Sequence, residues 1–325
     1  MIRWYTTLAA CIALLPMLVN AQAAKPLPRL CFLTFDPGTL QSNRYGPFFD
    51  TLRQLGYIDG KTIVIDYLSA EGRPERYRPN AAECVRRNAD VIVVSTTPLG
   101  QEAKKATKSI PIVMTGLIDP VSAGLVDDLA RPGGNVTGLT IAGPQVAAKR
   151  LELLKELAPK ISRVLLLTYS ADPASAPQIQ ASTKAARSLG ITLLIRDIAS
   201  SEDFAPAFKF AAAERATGVV TTAESIFTVN RGKIIELAAK YKMPAVYGFT
   251  LAVADGGLMS YTAEYRTVHA QVAVYVDKIL KGAKPADLPI EQPTKFDLGI
   301  NLKTAKALGI TVPQTLLLRA DRIIQ

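Results

Sequence analysis

Short apolar runs alternate with segments of helical periodicity along this chain, and the alternation occurs in two halves of similar length. In the first half, strands are predicted over residues 30–35, 63–67, 91–94, 112–115 and near Val136. Helices are predicted around residues 45–55 and over residues 81–87, 98–108 and 120–130. In the second half, strands are predicted over residues 164–168, 192–195, 219–222, 245–247 and 258–261, with helices between them.

The predicted strands are typical of a sheet that is covered on both faces. Residues 91–94 are a continuous run of Val and Ile, which favours a parallel strand with helices packed on each side. Strands that alternate with helices form right-handed crossovers and an open, doubly wound sheet. We therefore predict an α/β fold with two doubly wound parallel-sheet lobes, joined by a connector at residues 130–149. Two such lobes enclose a cleft, and clefts bind small molecules.

The first 23 residues have the pattern of an export signal. Arg3 precedes an apolar run over residues 8–18, and Ala21-Gln22-Ala23 matches the small-residue pattern of a cleavage site. Residues 8–11 also resemble a lipoprotein cleavage box, but only seven residues precede them. Because the apolar run is shorter than the roughly 20 residues of a membrane span, we predict a cleaved signal peptide over residues 1–23 and a periplasmic protein.

Composition and charge narrow the class of protein. Of the 325 residues, 49% are hydrophobic and 20% are charged, which favours two domains with well-filled cores over disorder. The formal net charge is +10, but the Lys and Arg residues are spread over many predicted helix faces. This spread indicates a solvated surface rather than a nucleic-acid interface, so we expect no nucleic-acid partner. We also expect a monomer.

Two cysteines follow the predicted signal peptide. Cys31 lies in a predicted strand and Cys84 in a predicted helix, and neither has the spacing of a metal site. Two interpretations are open in an oxidising compartment: buried thiols, which we favour, and a disulfide.

Four predicted strand–helix junctions place a capping residue directly before a proline. They are Asp36-Pro37, Thr97-Pro98, Asp119-Pro120 and Asp172-Pro173. In the last three, the capping side chain is predicted to accept N–H groups at the start of a helix. Such junctions lie at the carboxyl ends of the strands, where ligands bind and helix N-termini favour anions. Each junction alone is typical of an ordinary cap, but junctions from both halves would face one cleft.

Aromatic residues and one acidic residue follow the same strands. The aromatic residues are Phe35, Tyr169, Tyr247, Phe249 and Tyr261. Such side chains stack on ligand rings, although each alone is more typical of a core. Glu224 is either a partner for a ligand ammonium or a solvated, cap-like carboxylate.

The motifs of common enzymes are missing from the sequence. His269 is the only histidine, and we expect it in a helix far from the strand-end loops, so a Ser-His-Asp or Cys-His system has no base. No dinucleotide-binding, P-loop or nucleophile-elbow motif occurs. We therefore expect a binding protein with no catalytic residue, no cofactor and no metal. Carboxylate catalysis stays open, because two acids can meet in the folded chain alone.

Several stretches of the chain resemble one family along nearly the whole mature sequence. They are residues 130–138 (ARPGGNVTG), 150–157 (RLELLKEL), 275–286 (YVDKILKGAKPA) and 294–308 (TKFDLGINLKTAKAL), with shorter matches at 55–57, 71–76 and 256–261. In these stretches the chain resembles the ABC-transporter substrate-binding family that includes tryptophan-binding proteins. It departs from that family at Cys31, where glycine is usual, and at Asp36, where a small neutral residue is usual.

The resemblance implies a type I periplasmic-binding-protein fold, with three hinge crossings and closure of two lobes on a ligand. It implies that a late helix returns to the first lobe, which then comprises residues 28–140 and 262–288, while residues 141–261 and 289–325 form the second. It implies two partners, a membrane permease and its ATPase. The predicted function is an extracytoplasmic solute-binding protein of an ABC importer, which captures an amino acid or a similar small organic molecule.

The resemblance also implies a ligand site. In amino-acid binders of this fold, the loop after the third strand holds the ligand carboxylate, and Asp36 either argues against a carboxylate at its own position or selects a cationic group. The predicted ligand-binding residues are Phe35, Asp36, Ser95, Thr96, Thr97, Thr115, Gly116, Asp119, Tyr169, Glu224, Tyr247 and Phe249.

Two alternative functions stay open. An exported enzyme would use carboxylates such as Asp36 or Glu224, and turnover of a small molecule would favour it. A sensory module would pass its closed state to a receptor or kinase, and a neighbouring sensor-kinase gene would favour it over permease and ATPase genes.

Overall fold

The computed structural model of the chain describes residues 26–41 and 44–325, so the predicted signal peptide lies outside the described residues. No helix in these two ranges is long and apolar enough to cross a membrane. The strands are β1 Arg29–Thr34, β2 Val64–Ser69, β3 Val91–Val94, β4 Ile112–Ile118, β5 Val136–Ile141, β6 Arg163–Thr168, β7 Thr192–Asp197, β8 Gly218–Thr221, β9 Ala245–Tyr247, β10 Met259–Ala263, β11 Phe296–Asn301 and β12 Arg322–Ile324. The α-helices are α1 Gly46–Gln54, α2 Tyr77–Arg86, α3 Thr97–Ala106, α4 Gly143–Leu157, α5 Ser175–Ser188, α6 Phe204–Ala213, α7 Ser225–Val229, α8 Arg231–Lys240, α9 Leu251–Ala254, α10 Tyr265–Leu280, α11 Leu302–Ala307 and α12 Gln314–Leu317.

The first sheet is parallel throughout, with the strand order β2-β1-β3-β4-β5. Helices α1 and α10 pack on one face of it, and α2 and α3 pack on the other. All residues of β3 are buried, as the unbroken Val and Ile run predicts. Cores on both faces hold the strand ends in place, and those ends carry the first wall of the cleft.

The second sheet has seven strands in the order β12-β11-β10-β9-β8-β6-β7. Helices α4 and α5 contribute to the core on one face, and α6 and α8 to the core on the other. The α/β fold class with two lobes is thus confirmed. The second sheet is not wholly parallel, however, because β11 runs antiparallel to β10. Strands β11 and β12 are absent from the sequence prediction. The helix between β10 and β11 is α10, which packs on the first sheet and not on the second.

The chain passes between the two sheets at three places. It leaves β5 of the first sheet at Ala142 and enters α4, which contacts β8, β9 and β10 of the second sheet. It returns after β10 through Glu264 into α10, which packs on α1 and on β4. It crosses again between residues 288 and 296 to form β11. The predicted connector at residues 130–149 therefore contains strand β5 and the start of α4.

The predicted helix over residues 120–130 is wrong, because this segment is a series of turns. Gly124 has φ +68 and Asp119 has φ +43, which lie outside the right-handed helical region. Leu125 and Val126 are nevertheless buried in the core of the first lobe. These apolar side chains therefore pack from a loop that covers α3, and not from a helix as their spacing predicts.

Cys31 and Cys84 form a disulfide between β1 and α2, with their Cα atoms 5.7 Å apart. Our preference for free buried thiols was wrong, although both residues are fully buried. The pairing depends on α2 packing directly over β1, which no local pattern in the sequence reveals.

Candidate ligand-binding site

A small cavity of about 40 Å³ lies between the two lobes, here called the cleft cavity. The first-lobe wall is formed by the loop after β3 with the start of α3, by the last residues of β4, and by residues just before α1 and early in α10. The loops after β6 and β8 form its second-lobe wall. The cavity therefore lies at the carboxyl ends of the parallel strands in both sheets, where doubly wound folds bind their ligands.

The start of α3 supplies hydroxyl groups to the first-lobe wall. Ser95, Thr96 and Thr97 follow β3 and all line the cleft cavity. The helix cap is Thr96, whose Oγ1 accepts the N–H of Leu99 at 3.4 Å, and not Thr97 as predicted. Thr97 is already the first helical residue, and Pro98 lies in the first turn, where its missing N–H costs no helical hydrogen bond. This arrangement points a helix N-terminus and the side chains of two threonines at the cavity, which favours an anionic group there.

Gly116 brings the backbone of β4 to the same wall. The register of β4 against β5 shifts between Thr115 and Leu117, and Gly116 has φ +98. A Cβ atom at this position would lie 3.2 Å from Cγ2 of Ile141 and 3.2 Å from Cγ1 of Val268. Glycine is required by both the backbone conformation and the close packing.

Glu224 lies in the second-lobe wall and is 4% exposed. Its Oε1 accepts hydrogen bonds from Ser175 Oγ and from Gln178 Nε2, both at 2.8 Å. Its Oε2 is buried and has no hydrogen-bond partner among the described residues. Burial raises the pKa of the carboxyl group. Ser175 and Gln178 thus fix one oxygen of the carboxylate, and the other oxygen stays available to a cationic group in the cavity.

Asp172 is the second acid of this wall, and it is 6% exposed. Its Oδ1 accepts the backbone N–H of Ala174 at 2.9 Å, just before α5 begins. Burial and the nearby charge of Glu224 raise the pKa of Asp172 to about 7. This Asp-Pro junction lies at the cleft, as its place after a strand predicts. The predicted capping role of Asp172 is wrong, because α5 begins only at Ser175 and its N-cap residue is Ala174.

Arg44 is a wall residue that the sequence analysis missed. Its Nε donates to Asp36 Oδ2 at 2.6 Å, and the Tyr45 hydroxyl donates to the same oxygen at 2.7 Å. A second nitrogen of Arg44 donates across the cleft to Ser225 Oγ at 3.2 Å. Asp36 is therefore neutralised by a partner in its own lobe, which makes it unsuited to select a cationic ligand group. Arg44 lies outside any periodic segment or motif, so no sequence signal marked it.

His269 also lies in the wall, which corrects the expectation that it is far from the strand ends. It occupies the first turns of α10, directly after the chain has crossed between the lobes. Its ring lies 5.0 Å from that of Tyr45 and 5.5 Å from that of Tyr265. Burial and the charge of Arg44 lower its pKa to about 3, so the imidazole is neutral at pH 7.

Arg150 lies behind the second-lobe wall and is 1% exposed. Its guanidinium donates to the carbonyl oxygens of Tyr261 at 2.9 Å and Thr221 at 3.2 Å. Burial lowers its pKa to about 10, which leaves it charged at pH 7. The side chain ties α4 to the ends of β8 and β10, close to two of the three crossings.

The structure places six of the twelve predicted ligand-binding residues in the wall of the cleft cavity. They are Ser95, Thr96, Thr97, Thr115, Gly116 and Glu224. The other six lie elsewhere, at Phe35, Asp36, Asp119, Tyr169, Tyr247 and Phe249.

Phe35, Asp119 and Phe249 lie outside the cleft cavity for reasons that their surroundings show. The ring of Phe35 packs against Tyr77 with centroids 6.2 Å apart, and Asp119 Oδ1 accepts the N–H of Ser122 at 3.2 Å. Phe249 lines a neighbouring cavity of about 340 Å³ that shares Arg44, Tyr265 and His269 with the cleft cavity. Within residues 26–41 and 44–325, no group of three or more His, Cys, Asp or Glu residues has an arrangement that could hold a metal ion.

The sequence pattern of the family described as ABC transporter substrate binding protein matches residues 37–324. The chain belongs to this family. This substrate-binding protein is 28% identical over 263 residues to a tyrosine-binding protein of Clostridioides difficile strain R20291. That match covers 81% of this chain and 75% of the relative.

Two solved structures resemble the substrate-binding protein over 92% of its chain and 100% of theirs. One is an ABC domain from Streptococcus pneumoniae in complex with L-Trp, at 27% identity and a TM-score of 0.85. The other is a conserved domain protein from Vibrio cholerae, at 30% identity and a TM-score of 0.85. The resemblance that the sequence analysis found is thus confirmed, and the fold is that of the type I periplasmic binding proteins.

Proposed function

We propose that this substrate-binding protein captures an α-amino acid in the cleft between its lobes and passes it to the permease of an ABC importer, which an ATPase drives. The signal peptide over residues 1–23 exports it to the periplasm, where it acts as a monomer. The lobes comprise residues 28–140 with 262–288, and residues 141–261 with 289–325. The segments that cross between the sheets are the hinges on which these lobes open and close.

The main support for this proposal is that one wall of the cleft favours an anionic group and the other favours a cationic group. On one side, the N-terminus of α3 and the hydroxyl groups of Thr96 and Thr97 suit a carboxylate. On the other, the free oxygen of Glu224 and the nearby Asp172 suit an ammonium group. An α-amino acid carries both groups on adjacent atoms, and it would therefore be held by both lobes at once.

An aromatic side chain is the preferred third part of the ligand. The rings of Tyr45, Tyr265 and His269 line the cleft cavity, and burial keeps the imidazole of His269 uncharged at pH 7. One relative is named for binding tyrosine and one structural neighbour holds L-Trp, which supports the same choice. The cleft cavity is small, so we expect the lobes to part before such a ligand enters and to close around it.

Thermal unfolding of the purified mature protein with each of the common amino acids tests the proposal. A ligand at 100 times its dissociation constant stabilises the folded state by about 2.7 kcal/mol, which gives a clear shift of the melting temperature. We expect tryptophan or tyrosine to give the largest shift, with affinity confirmed by calorimetry and an unaltered ligand recovered by mass spectrometry. No shift with any amino acid, or chemical conversion of the ligand, would overturn the proposal.

A further inference from the structure

We propose that Asp172 and Glu224, here called the acid pair, determine which ligands the protein closes on. The lobes close when a ligand ammonium or a proton compensates the acid pair, and they stay apart when neither is present. This inference rests on the proposed function and specifies the group that the ligand must carry, a protonated amine. It also makes Asp172 a specificity-determining residue.

Both members of the acid pair come from the second lobe and face the cleft cavity. Asp172 is 6% exposed and Glu224 is 4% exposed, in a cavity that residues of both lobes enclose. Oε2 of Glu224 has no hydrogen-bond partner within the described part of the chain. Two carboxylates are thus removed from water, and one of them keeps an oxygen for a donor that the protein itself does not supply.

The described residues of the first-lobe wall do not bring a free cation to the acid pair. Ser95, Thr96 and Thr97 are neutral, and Arg44 is already paired with Asp36 at 2.6 Å. Arg150 is charged but lies behind Glu224, and its guanidinium donates to two backbone carbonyl oxygens. Closure of the empty cleft therefore buries more negative than positive charge beside the cavity.

Burial of uncompensated charge is costly, and closure is the step at which this cost arises. When the lobes are apart, water hydrates both carboxylates. When the lobes meet, that water is lost and the two negative charges act on each other through a less polar medium. A ligand ammonium removes most of this cost because it donates hydrogen bonds to both acids. A proton on Asp172 removes part of it because one of the two charges is gone.

The proton alternative predicts the direction of the pH dependence. A hydrated Asp has a pKa of about 3.9, whereas burial and Glu224 raise the pKa of Asp172 to about 7 in the closed structure. Between about pH 4 and pH 7 the closed form thus binds a proton that the open form does not. Over this range each unit of rising pH disfavours closure of the empty cleft by up to about tenfold, and above pH 7 the effect is complete.

Other titratable groups surround the acid pair without changing this sign. They are Tyr77 and Tyr169, Arg150, the Arg44–Asp36 pair, and Tyr45, Tyr265 and His269. Burial raises the pKa values of Tyr77 and Tyr169, and it lowers that of His269 to about 3, so these three stay neutral between pH 4 and pH 7. Burial raises the pKa values of both members of the acid pair, so the proton taken up on closure binds to this pair.

Small-angle X-ray scattering of the ligand-free protein tests the acid pair without any ligand. We expect the wild-type protein to be more extended at pH 8 than at pH 5.5. We expect Asp172→Asn to be compact at both pH values, because the amide is uncharged and can still accept the N–H of Ala174. Equal radii of gyration for the two proteins at pH 8 would overturn the inference.

A matched control excludes a general effect of removing a carboxylate. Asp203 also lies in the second lobe and accepts the backbone N–H groups of Ala199 and Ser200 at 3.0 and 2.8 Å. Asp203→Asn makes the same chemical change away from the cleft, and it should keep the pH-dependent radius of the wild type. A pH-independent radius in this control would show that the effect does not belong to the acid pair.

Calorimetry with tryptophan and its deamino analogue, indole-3-propionate, tests the requirement for an amine. We expect tryptophan to bind the wild type with little change in affinity between pH 5.5 and pH 7. The analogue should bind at pH 5.5 and weaken by up to about tenfold per pH unit, because a proton must replace the ammonium. In Asp172→Asn the affinity for the analogue should no longer change with pH.

Different results would overturn the role of the acid pair and the proposed function. Binding of tryptophan and of its analogue with the same affinity at pH 7 would overturn the role of the acid pair and leave amino-acid capture intact. Failure of all amino acids to bind would overturn the proposed function, while the scattering of the ligand-free protein would still decide whether the acid pair controls closure.

Discussion

The two walls of the cleft use opposite chemistry at equivalent places in their sheets. Both walls lie at the carboxyl ends of parallel strands, but the first offers neutral hydroxyl groups and a helix N-terminus, while the second offers Asp172 and Glu224. Topology therefore determines where a ligand binds, and the side chains at the strand ends determine which charge it carries there. Neither wall alone recognises a molecule with both charges.

The walls also differ in how they are held. In the first lobe, backbone features shape the wall, namely the capped start of α3 and the positive φ of Gly116. In the second lobe, buried side chains hold the wall, with Ser175 and Gln178 donating to Glu224. Substitutions that disturb the backbone of the first wall should thus act on stability and affinity together, whereas those in the second wall should act mainly on charge recognition.

Removal of the disulfide should give the largest change in the free energy of unfolding. It should lower the stability of the first lobe without changing ligand binding at the wall. The bond closes a segment of 53 residues, for which loop entropy predicts a loss of about 4 kcal/mol in unfolding free energy. We expect Cys31→Ser with Cys84→Ser to show this loss in urea unfolding. Ligand affinity, measured well below the melting temperature, should stay within about twofold. A large loss of affinity would show that the bond shapes the first wall directly.

Glu224→Gln should give the largest change in affinity among the wall variants. The amide keeps the shape of the side chain but loses its charge, and a hydrogen bond to a charged group contributes about 1.5–3 kcal/mol. We expect about 30-fold weaker binding of the amino acid that gives the largest thermal shift, measured by calorimetry. Glu214→Gln, which breaks a surface pair with Arg163, is the control and should bind normally. Unchanged affinity in Glu224→Gln would show that the second wall does not bind the ligand.

Gly116→Ala should weaken binding through the backbone of the first wall. The added Cβ meets Ile141 and Val268 at 3.2 Å in a conformation that costs a non-glycine residue about 1–3 kcal/mol. We expect a lower melting temperature and about tenfold weaker binding. Gly124 also has a positive φ, +68, but a Cβ atom there meets nothing within 4 Å, so Gly124→Ala should lose stability and keep its affinity. Equal affinities in the two variants would contradict a role for Gly116 in the site.

Thr97→Val should give the smallest effect, because a neutral hydrogen bond contributes about 0.5–1.5 kcal/mol. We expect about fivefold weaker binding, seen in calorimetry, with little change in stability. The control is Thr107→Val at the other end of α3, where the hydroxyl oxygen accepts the N–H groups of Ser109 and Ile110. That variant should lose stability and keep its affinity. Unchanged affinity in Thr97→Val with weaker binding in Thr107→Val would show that the ligand carboxylate does not bind at the start of α3.

The sequence predicted those parts of the site that follow from a strand and the residues directly after it. The family resemblance assigned ligand contacts to the loops after the third and fourth strands, and the apolar runs marked where those strands end. Together they pointed to Ser95, Thr97, Thr115 and Gly116. The aromatic residues at strand ends were less informative, since Tyr247 and Phe249 pack against each other with ring centroids 5.5 Å apart and lie outside the cleft cavity. An aromatic side chain after a strand is as useful to a core as to a ligand, and periodicity does not separate the two roles.

The sequence by itself determined the two α/β lobes, the strand ends that form the cleft and the family, because local periodicity and short motifs encode each of them. The tertiary structure alone decided the antiparallel β11, the Cys31–Cys84 bond, the place of His269 and the contact from Arg44 to Ser225. It also decided the charge properties of Asp172. Burial and electrostatic interaction depend on which distant residues meet when the lobes pack, and the Arg44–Ser225 contact joins residues 181 positions apart.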